Sequence, residues 1–476
     1  MIGREEQTRK MNALLSSGKS EFLAVTGRRR VGKTYLVENV YSKKICFSIT
    51  GIQNGSMDEQ LLNFSLKLSE YSKIPILSPA KNWQEAFFQL KTYLSTLDKR
   101  SKKVIFFDEL PWMYTPKSKF IQMIAHFWND YLAKEKHFVL VICGSATSWL
   151  TKRIVNDKGG LHNRISELIK LYPFTLYETK AFLNSIKVKL TNQEISKIYM
   201  AMGGIPYYLE KIRKGESAAV AIERLCFSDL GNLKYEYDNL YKALFKNAEV
   251  HELIIETLAK ARYGLSRNEI INASNLKRGG SFNRAMEDLK ESGFIAENSQ
   301  FGRTKWGSLY VLNDEYSIFY NKFIKPNKKY TKGIWLQLSI SQSYKIWSGY
   351  AFELLCFKHI EQIKKAMGIS AVYTKEYTLR VSGNKEEKGF QVDLIIDRKD
   401  ATINLCEIKY YSAPYKIDKQ YAMRIIERKR RFIEHTKTSK QVFNTFITNY
   451  DIIENEYSLE VVDSQITLED LMKPKS

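Results

Sequence analysis

The octet Gly27-Arg28-Arg29-Arg30-Val31-Gly32-Lys33-Thr34 sets a glycine, four residues, a second glycine, a lysine and a hydroxyl in a row. Glycines at those two places let successive backbone N–H groups turn inward around phosphate oxygens. A lysine after the second glycine reaches the β- and γ-phosphates, and the threonine hydroxyl ligates Mg²⁺. All eight residues are therefore candidates for contact with a nucleotide. Farther on, the apolar run Val104–Phe107 ends in Asp108-Glu109. Two acids at the end of a buried strand are costly unless they have partners or a task. Asp108 is expected to hold the magnesium, and Glu109 to orient and polarise the attacking water. A third apolar run, Phe138–Cys143, leads into Gly144-Ser145-Ala146-Thr147. Ser145 is a candidate γ-phosphate sensor there, or simply a helix N-cap. Arg164 is a candidate for stabilising transferred charge, or a surface arginine. No N-K-x-D segment follows to read guanine, so the expected ligands are ATP and Mg²⁺.

A second constellation lies near the end of the chain. Val392-Asp393-Leu394-Ile395-Ile396 and Ile403–Lys409 read as two strands. Glu407 and Lys409 are two apart and share one face of theirs. If the strands pair as a hairpin, Asp393 approaches that face. Upstream, Glu353 sits in an apolar helical stretch. The set resembles the PD-(D/E)XK nuclease pattern: Glu353 as the helix acid, Asp393, then Glu407-x-Lys409. In that pattern Asp393 and Glu407 hold Mg²⁺ and the lysine orients or deprotonates water. Arg428-Lys429-Arg430-Arg431 would steer a phosphate backbone in. The alternatives are an ion pair on a strand and a solvated helix face.

These groups need scaffolds. Continuous apolar runs alternating with helical patterns suit strands buried on both faces of a parallel sheet, with Asn82–Glu85 capping a helix between them. The fold class expected is α/β: a P-loop NTPase core over 1–163, AAA+-like, with further parts behind it. From 164 to 245 the pattern turns helical, with Thr191–Glu194 as a capping box and a break at Gly203-Gly204-Ile205-Pro206, and reads as a helical lid. Residues 246–325 read as a winged helix: Ser266 and Ser281 cap two helices, Gly293 ends the second, and Phe301–Lys305 forms the wing. Its second helix, after Lys277 and Arg278, would enter a major groove, or the module packs only on its own neighbours. Polar residues 326–344, with Lys328, Lys329 and Lys332, read as a linker. Residues 345–476 read as a restriction-endonuclease-like α/β domain.

The chain has 476 residues, 44% hydrophobic and 26% charged, which is ordinary for globular protein and too long for one core. Its formal net charge of +22 points to a polyanion partner, nucleic acid first, or to a solvated lysine-rich surface. Charge does not separate DNA from RNA or an acidic membrane, and the partner expected from the whole reading is DNA rather than RNA. Five scattered cysteines with no C-x-x-C pair argue against a disulfide framework or zinc knuckle, and Cys143 and Cys406 read as reduced core residues. The opening Met1–Glu6 has no apolar signal region, and no run of about 18 apolar residues occurs. The expectation is a cytoplasmic protein with no membrane partner, compatible with a homo-oligomer.

Together these residues resemble the prokaryotic AAA+/STAND-like ATPases known as the archaeal ATPase family. The segments that carry the likeness are Ile2-Gly3-Arg4-Glu5-Glu6, the Gly27–Thr34 loop, Asp108-Glu109-Leu110-Pro111-Trp112, Gly144-Ser145, and Gly203–Leu209. The resemblance implies the roles above for Lys33, Thr34, Asp108 and Glu109, and makes the segment around Pro206 a nucleotide-sensing element of the lid. Asn163 stands where the family often has glycine before the arginine. The function expected is an ATP-hydrolysing switch coupled to a DNA-engaging C-terminal half, with DNA cleavage left open. The alternatives are a nucleotide-gated scaffold that cuts nothing, and a nuclease whose P-loop part only binds ATP.

Overall fold

The apolar runs near the N-terminus fold as a sheet with one polarity. A computed structural model describes residues 2–75, 78–155, 159–161, 163–245, 248–261, 263–302, 308–329, 333–383 and 389–475. The chain divides into two compact units, Met1–Tyr172 and Pro173–Ser476. In the first, β1 (Glu21–Gly27), β2 (Ile45–Thr50), β3 (Lys103–Asp108), β4 (Phe138–Gly144) and β5 (Glu167–Leu171) pair in parallel in the order β2-β3-β4-β1-β5. β1 and β4 are buried along their whole length, which is why their sequences are apolar without alternation. Phe47 and Phe107 of the sheet pack with Phe64, Trp83 and Phe87 from the helices Met57–Ser72 and Trp83–Ser95. Parallel pairing brings Gly27, Asp108 and Gly144 to the same edge, where open α/β sheets bind ligands.

One expectation needs correction here. Residues 167–171, read as the opening of a helical lid, form β5 beside β1. Glu-Leu-Ile-Lys-Leu alternates too briefly to signal an edge strand on its own.

The second unit begins with helices Leu176–Ser185 and Asn192–Met202, capped by Thr175 and Thr191. Gly204 follows, and a Cβ there would lie 1.9 Å from the Phe174 carbonyl oxygen, so only glycine fits. Pro206 opens the short helix Pro206–Leu209. Helices Ala248–Ala259, Arg267–Ser274 and Gly280–Glu291 lead to the antiparallel hairpin of β6 (Ile295–Asn298) and β7 (Leu309–Leu312). Ser266 and Glu269 form a complete capping box. Gly293 ends the last helix: its N–H donates to Lys290 O and that of Phe294 to Leu289 O. Ser281 is not the N-cap expected of it. The helix starts one residue earlier, with Gly279 in that place and no side-chain cap. Arg303, Thr304 and Lys305 of the expected wing, and Lys332, lie outside the described residues.

The stretch 326–344 is no loose linker. It carries the helix Ile334–Leu338, whose Trp335 is 2% exposed and stacks on Phe227, while Glu223 accepts the N–H groups of Gly333 and Trp335. Its lysines masked the apolar anchor. Helix Gln342–Lys358 then leads to a five-stranded sheet. β8 (Thr374–Val381), β9 (Phe390–Arg398) and β10 (Thr402–Lys409) are antiparallel neighbours. β12 (Gln441–Thr448) and β14 (Ser464–Thr467) continue it in parallel, and β11 (Tyr415–Lys416) pairs separately with β13 (Ile452–Ile453). Helix Lys419–Thr436 lies between β11 and β12 in sequence, and its Phe432 joins Leu379, Ile395 and Leu405 in the core. The five cysteines are free. No helix of the described residues is long and apolar enough to cross a membrane.

Candidate nucleotide site

The loop leaves β1 at Gly27, whose φ is +144° and where a Cβ would meet Leu171 O of β5 at 2.4 Å. Bulk at this position would push the loop off the sheet. The turn passes through Arg30 in the left-handed region (φ +71°) and enters helix Lys33–Tyr41 at its N-terminus, where free N–H groups favour an anion. Lys33 is 5% exposed, and its Nζ donates to Arg28 O at 3.0 Å and Ser145 Oγ at 2.8 Å. Arg28 and Val31 are buried, and Arg29 and Arg30 half-buried. The hydroxyl of Thr34 donates to Asp108 Oδ2 at 2.8 Å.

Asp108 ends β3, buried, and burial pushes its carboxyl above the ordinary range. The Thr34 hydrogen bond opposes that shift, and the neighbouring Glu109 charge adds to it. Glu109 takes a left-handed φ of 43°, and both its oxygens face Ser145: Oε2 accepts the Ser145 N–H at 3.0 Å and Oε1 the hydroxyl at 2.5 Å. Ser145 thus links Lys33 to Glu109. The structure brings Gly27 to Thr34, Asp108, Glu109 and Ser145 together. Arg164 is exposed in the turn before β5, and it hydrogen-bonds none of them. Pro206 belongs to the second unit.

Arg4 is the residue that spacing did not reveal. Its guanidinium, 6% exposed, donates to Val31 O at 3.2 Å and Tyr172 O at 2.8 Å, tying the loop to the strand-end behind it. Only its place in the family-like opening segment marked it.

Magnesium suits this site. A hydroxyl and a carboxylate stand side by side, the second raised in pKa by burial, a cost that the charge of a divalent ion would offset.

The C-terminal constellation is a different case. Asp393, Glu407 and Lys409 do meet: Lys409 Nζ is 2.8 Å from Glu407 Oε1 and 3.8 Å from Asp393 Oδ2. Glu353 shares the wall of a cavity of about 710 Å³ with Asp393. But Glu407, 5% exposed, also accepts the Tyr421 hydroxyl at 2.7 Å and pairs through Oε2 with Arg428. Both its oxygens are already paired with cations, Lys409 and Arg428, which leaves no charge there for a divalent ion to balance. Magnesium does not fit Asp393 and Glu407 in this arrangement. The basic run is only partly a free surface. Arg428 is half-buried against Glu407, and burial lowers its pKa; Arg430 is exposed and pairs with Glu427 and Glu434, Lys429 pairs with Asp463, and Arg431 lies over Phe390. Tyr421, Ile425 and Phe432 line the buried face of that helix, and Arg428 falls on the same stripe.

Comparison with known proteins agrees with the first unit's geometry. Residues 1–212 match the family described as an ATPase domain predominantly from Archaea. An uncharacterised protein of Methanocaldococcus jannaschii is 25% identical over 416 residues, 86% of this chain and 87% of that one. An uncharacterised ATP-binding protein of the same organism is 28% identical over 180 residues, 37% of this chain and 48% of its own length. Among solved structures, the Walker-type ATPase of Pyrococcus abyssi superposes with a TM-score of 0.50 at 19% identity, covering 68% of this chain and 96% of that one. The N-terminal part of the chain therefore has the P-loop ATPase fold and matches an archaeal-type ATPase domain, which supports an ATP-binding ATPase.

Proposed function

We propose that the N-terminal unit hydrolyses ATP and acts as a switch. The observation that carries this is the contact chain Lys33–Ser145–Glu109 lying beside the Thr34–Asp108 pair. Lys33 binds the β- and γ-phosphates, leaving Ser145 as it does so. Ser145, freed of Lys33, senses whether a γ-phosphate is present. Glu109 exchanges Ser145 for the attacking water and polarises it. Thr34 and Asp108 would hold magnesium, which would supply charge neutralisation to the phosphates when bound. Glu109→Gln should keep ATP binding and lower turnover by about 10²-fold or more. Unchanged turnover in that variant removes Glu109 from the role.

For the second unit the reading is a lid over 173–245, a winged helix over 246–325 and a nuclease-like domain over 345–476. The three helices followed by a hairpin support the winged helix. The order helix, three antiparallel strands, helix, parallel strand supports the nuclease-like part. Arg428 on Glu407 favours a domain that engages nucleic acid without cutting it, a nucleotide-gated scaffold. Nucleic acid incubated with Mg²⁺ and wild-type protein should stay intact; cleavage that disappears in Lys409→Ala would restore the nuclease reading.

A further inference from the structure

In a parallel sheet every strand starts at the same edge, so the turns that feed β1 to β4 converge on one side of the first unit, away from the edge that carries Gly27, Asp108 and Gly144. These turns are rich in lysine: Lys43-Lys44 before β2, Lys99-Arg100-Ser101-Lys102 before β3, and Lys134-Glu135-Lys136 before β4. The fold gathers them around one open recess of about 780 Å³. Lys44, Lys99, Arg100, Lys102, Lys134 and Lys136 line it, and Glu135 is the one carboxylate among its described lining residues.

Three of these cations have acid neighbours: Lys99 with Glu135 at 3.1 Å, Arg100 with Asp98 at 2.9 Å, and Lys134 with Asp130 at 3.0 Å. Exposed pairs of this kind are worth about 0–1 kcal/mol and yield readily to a phosphate. Lys44 and Lys136 make no ion pair among the described residues. Lys102 holds the recess together, donating to Ser17 Oγ at 3.2 Å and to Lys136 O at 2.9 Å, so its cations are mounted on turns that are tied to one another.

We propose that this edge of the N-terminal unit binds the phosphate backbone of a nucleic acid. So many cations on one face attract a polyanion and release its counterions on contact. A membrane surface is the poorer match. Peripheral membrane sites pair cations with apolar side chains that insert, and none of the large exposed hydrophobic residues lies in these turns. Contacts here would be to phosphate, so binding would be blind to base sequence. The site is independent of the ATP reading, because no residue of the loop or of the acid pair takes part.

The test uses the full chain without nucleotide and labelled oligonucleotides, single-stranded and duplex, across a salt series. Arg100→Gln, Lys134→Gln and Lys136→Gln combined, all at exposed positions, should weaken binding at least about 10-fold and flatten the slope of log K against log salt by about 2–3. Retained ATP binding shows that the triple variant is folded, which separates failure here from failure of the ATP site. The charge-preserving set Arg100→Lys, Lys134→Arg and Lys136→Arg should bind as wild type does. Affinity and slope unchanged in the triple glutamine variant overturn the proposal. So does loss of binding in the charge-preserving set, or a wild-type protein that binds anionic phosphatidylserine vesicles and no nucleic acid.

Discussion

Thr34 donates its hydroxyl to Asp108 Oδ2 across 2.8 Å, joining the end of the phosphate loop to a strand terminus 74 residues on. The bond does not cancel the cost of burying that carboxylate, since its pKa stays raised. A raised carboxyl favours the protonated folded state, so the penalty is absent at low pH and grows as pH rises through the folded value. Asp108→Asn should therefore raise the neutral-pH Tm of the nucleotide-free protein, on a scale of about 2–4 °C per kcal/mol relieved, while abolishing hydrolysis. Thermal melts and turnover measured together check this; a lower Tm in the variant would contradict it.

Arg4 holds two backbone carbonyls, one of them inside the loop. Arg4→Ala should lower ATP affinity about 10-fold, from loss of buried hydrogen bonds worth roughly 1–3 kcal/mol. Arg4→Lys should recover little, because an ammonium lacks the fork that reaches both oxygens. A fluorescent-nucleotide titration distinguishes these outcomes; equal affinity in all three proteins would make Arg4 a bystander.

His359 is fully buried, accepts the Leu176 N–H at Nε2 (2.9 Å), and lies 2.7 Å from Leu355 O at Nδ1. Burial first, and the nearby Lys358 charge after it, push its pKa down from 6.5 to about 4. The folded state holds the ring neutral, so this contribution is complete above pH 6.5 and is lost as pH falls toward 4. It amounts to on the order of 3 kcal/mol. The melting transition of the second unit should drop over that window, and His359→Gln should flatten the drop. An equally steep fall in the variant assigns the acid sensitivity to other groups.

Glu407 is buried and Arg428 half-buried against it, and removing one side of a buried pair costs up to about 3–5 kcal/mol. Arg428→Gln should destabilise the protein by that order in urea. Calorimetric Mg²⁺ titration of the nucleotide-free wild type should give no heat that Glu407→Gln removes. Such a heat would show that the pair opens for metal.

The nucleotide site was legible because its chemistry is local. Eight consecutive residues make the loop, and Asp108, Glu109 and Ser145 follow directly on apolar runs whose burial on both faces sets their register. β5 was not legible, because its five residues draw stability from pairing with β1 rather than from a pattern of their own. The C-terminal acids were placed correctly on neighbouring strands, yet their partners were not. Arg428 looked like one charge in a solvated run, although its spacing from Tyr421, Ile425 and Phe432 put it on the apolar stripe. Trp335 was hidden in the same way by the lysines around it.

The most direct measurement is equilibrium uptake of labelled ATP with Mg²⁺ by wild type and by Lys33→Ala. The wild type should bind, and the variant, lacking the ammonium that Arg28 O and Ser145 Oγ hold in place, should lose affinity by at least about 10²-fold, as befits a charge-assisted contact in a buried site. Equal uptake by both proteins, or none by either, would contradict the assignment of Gly27–Thr34 as the phosphate loop.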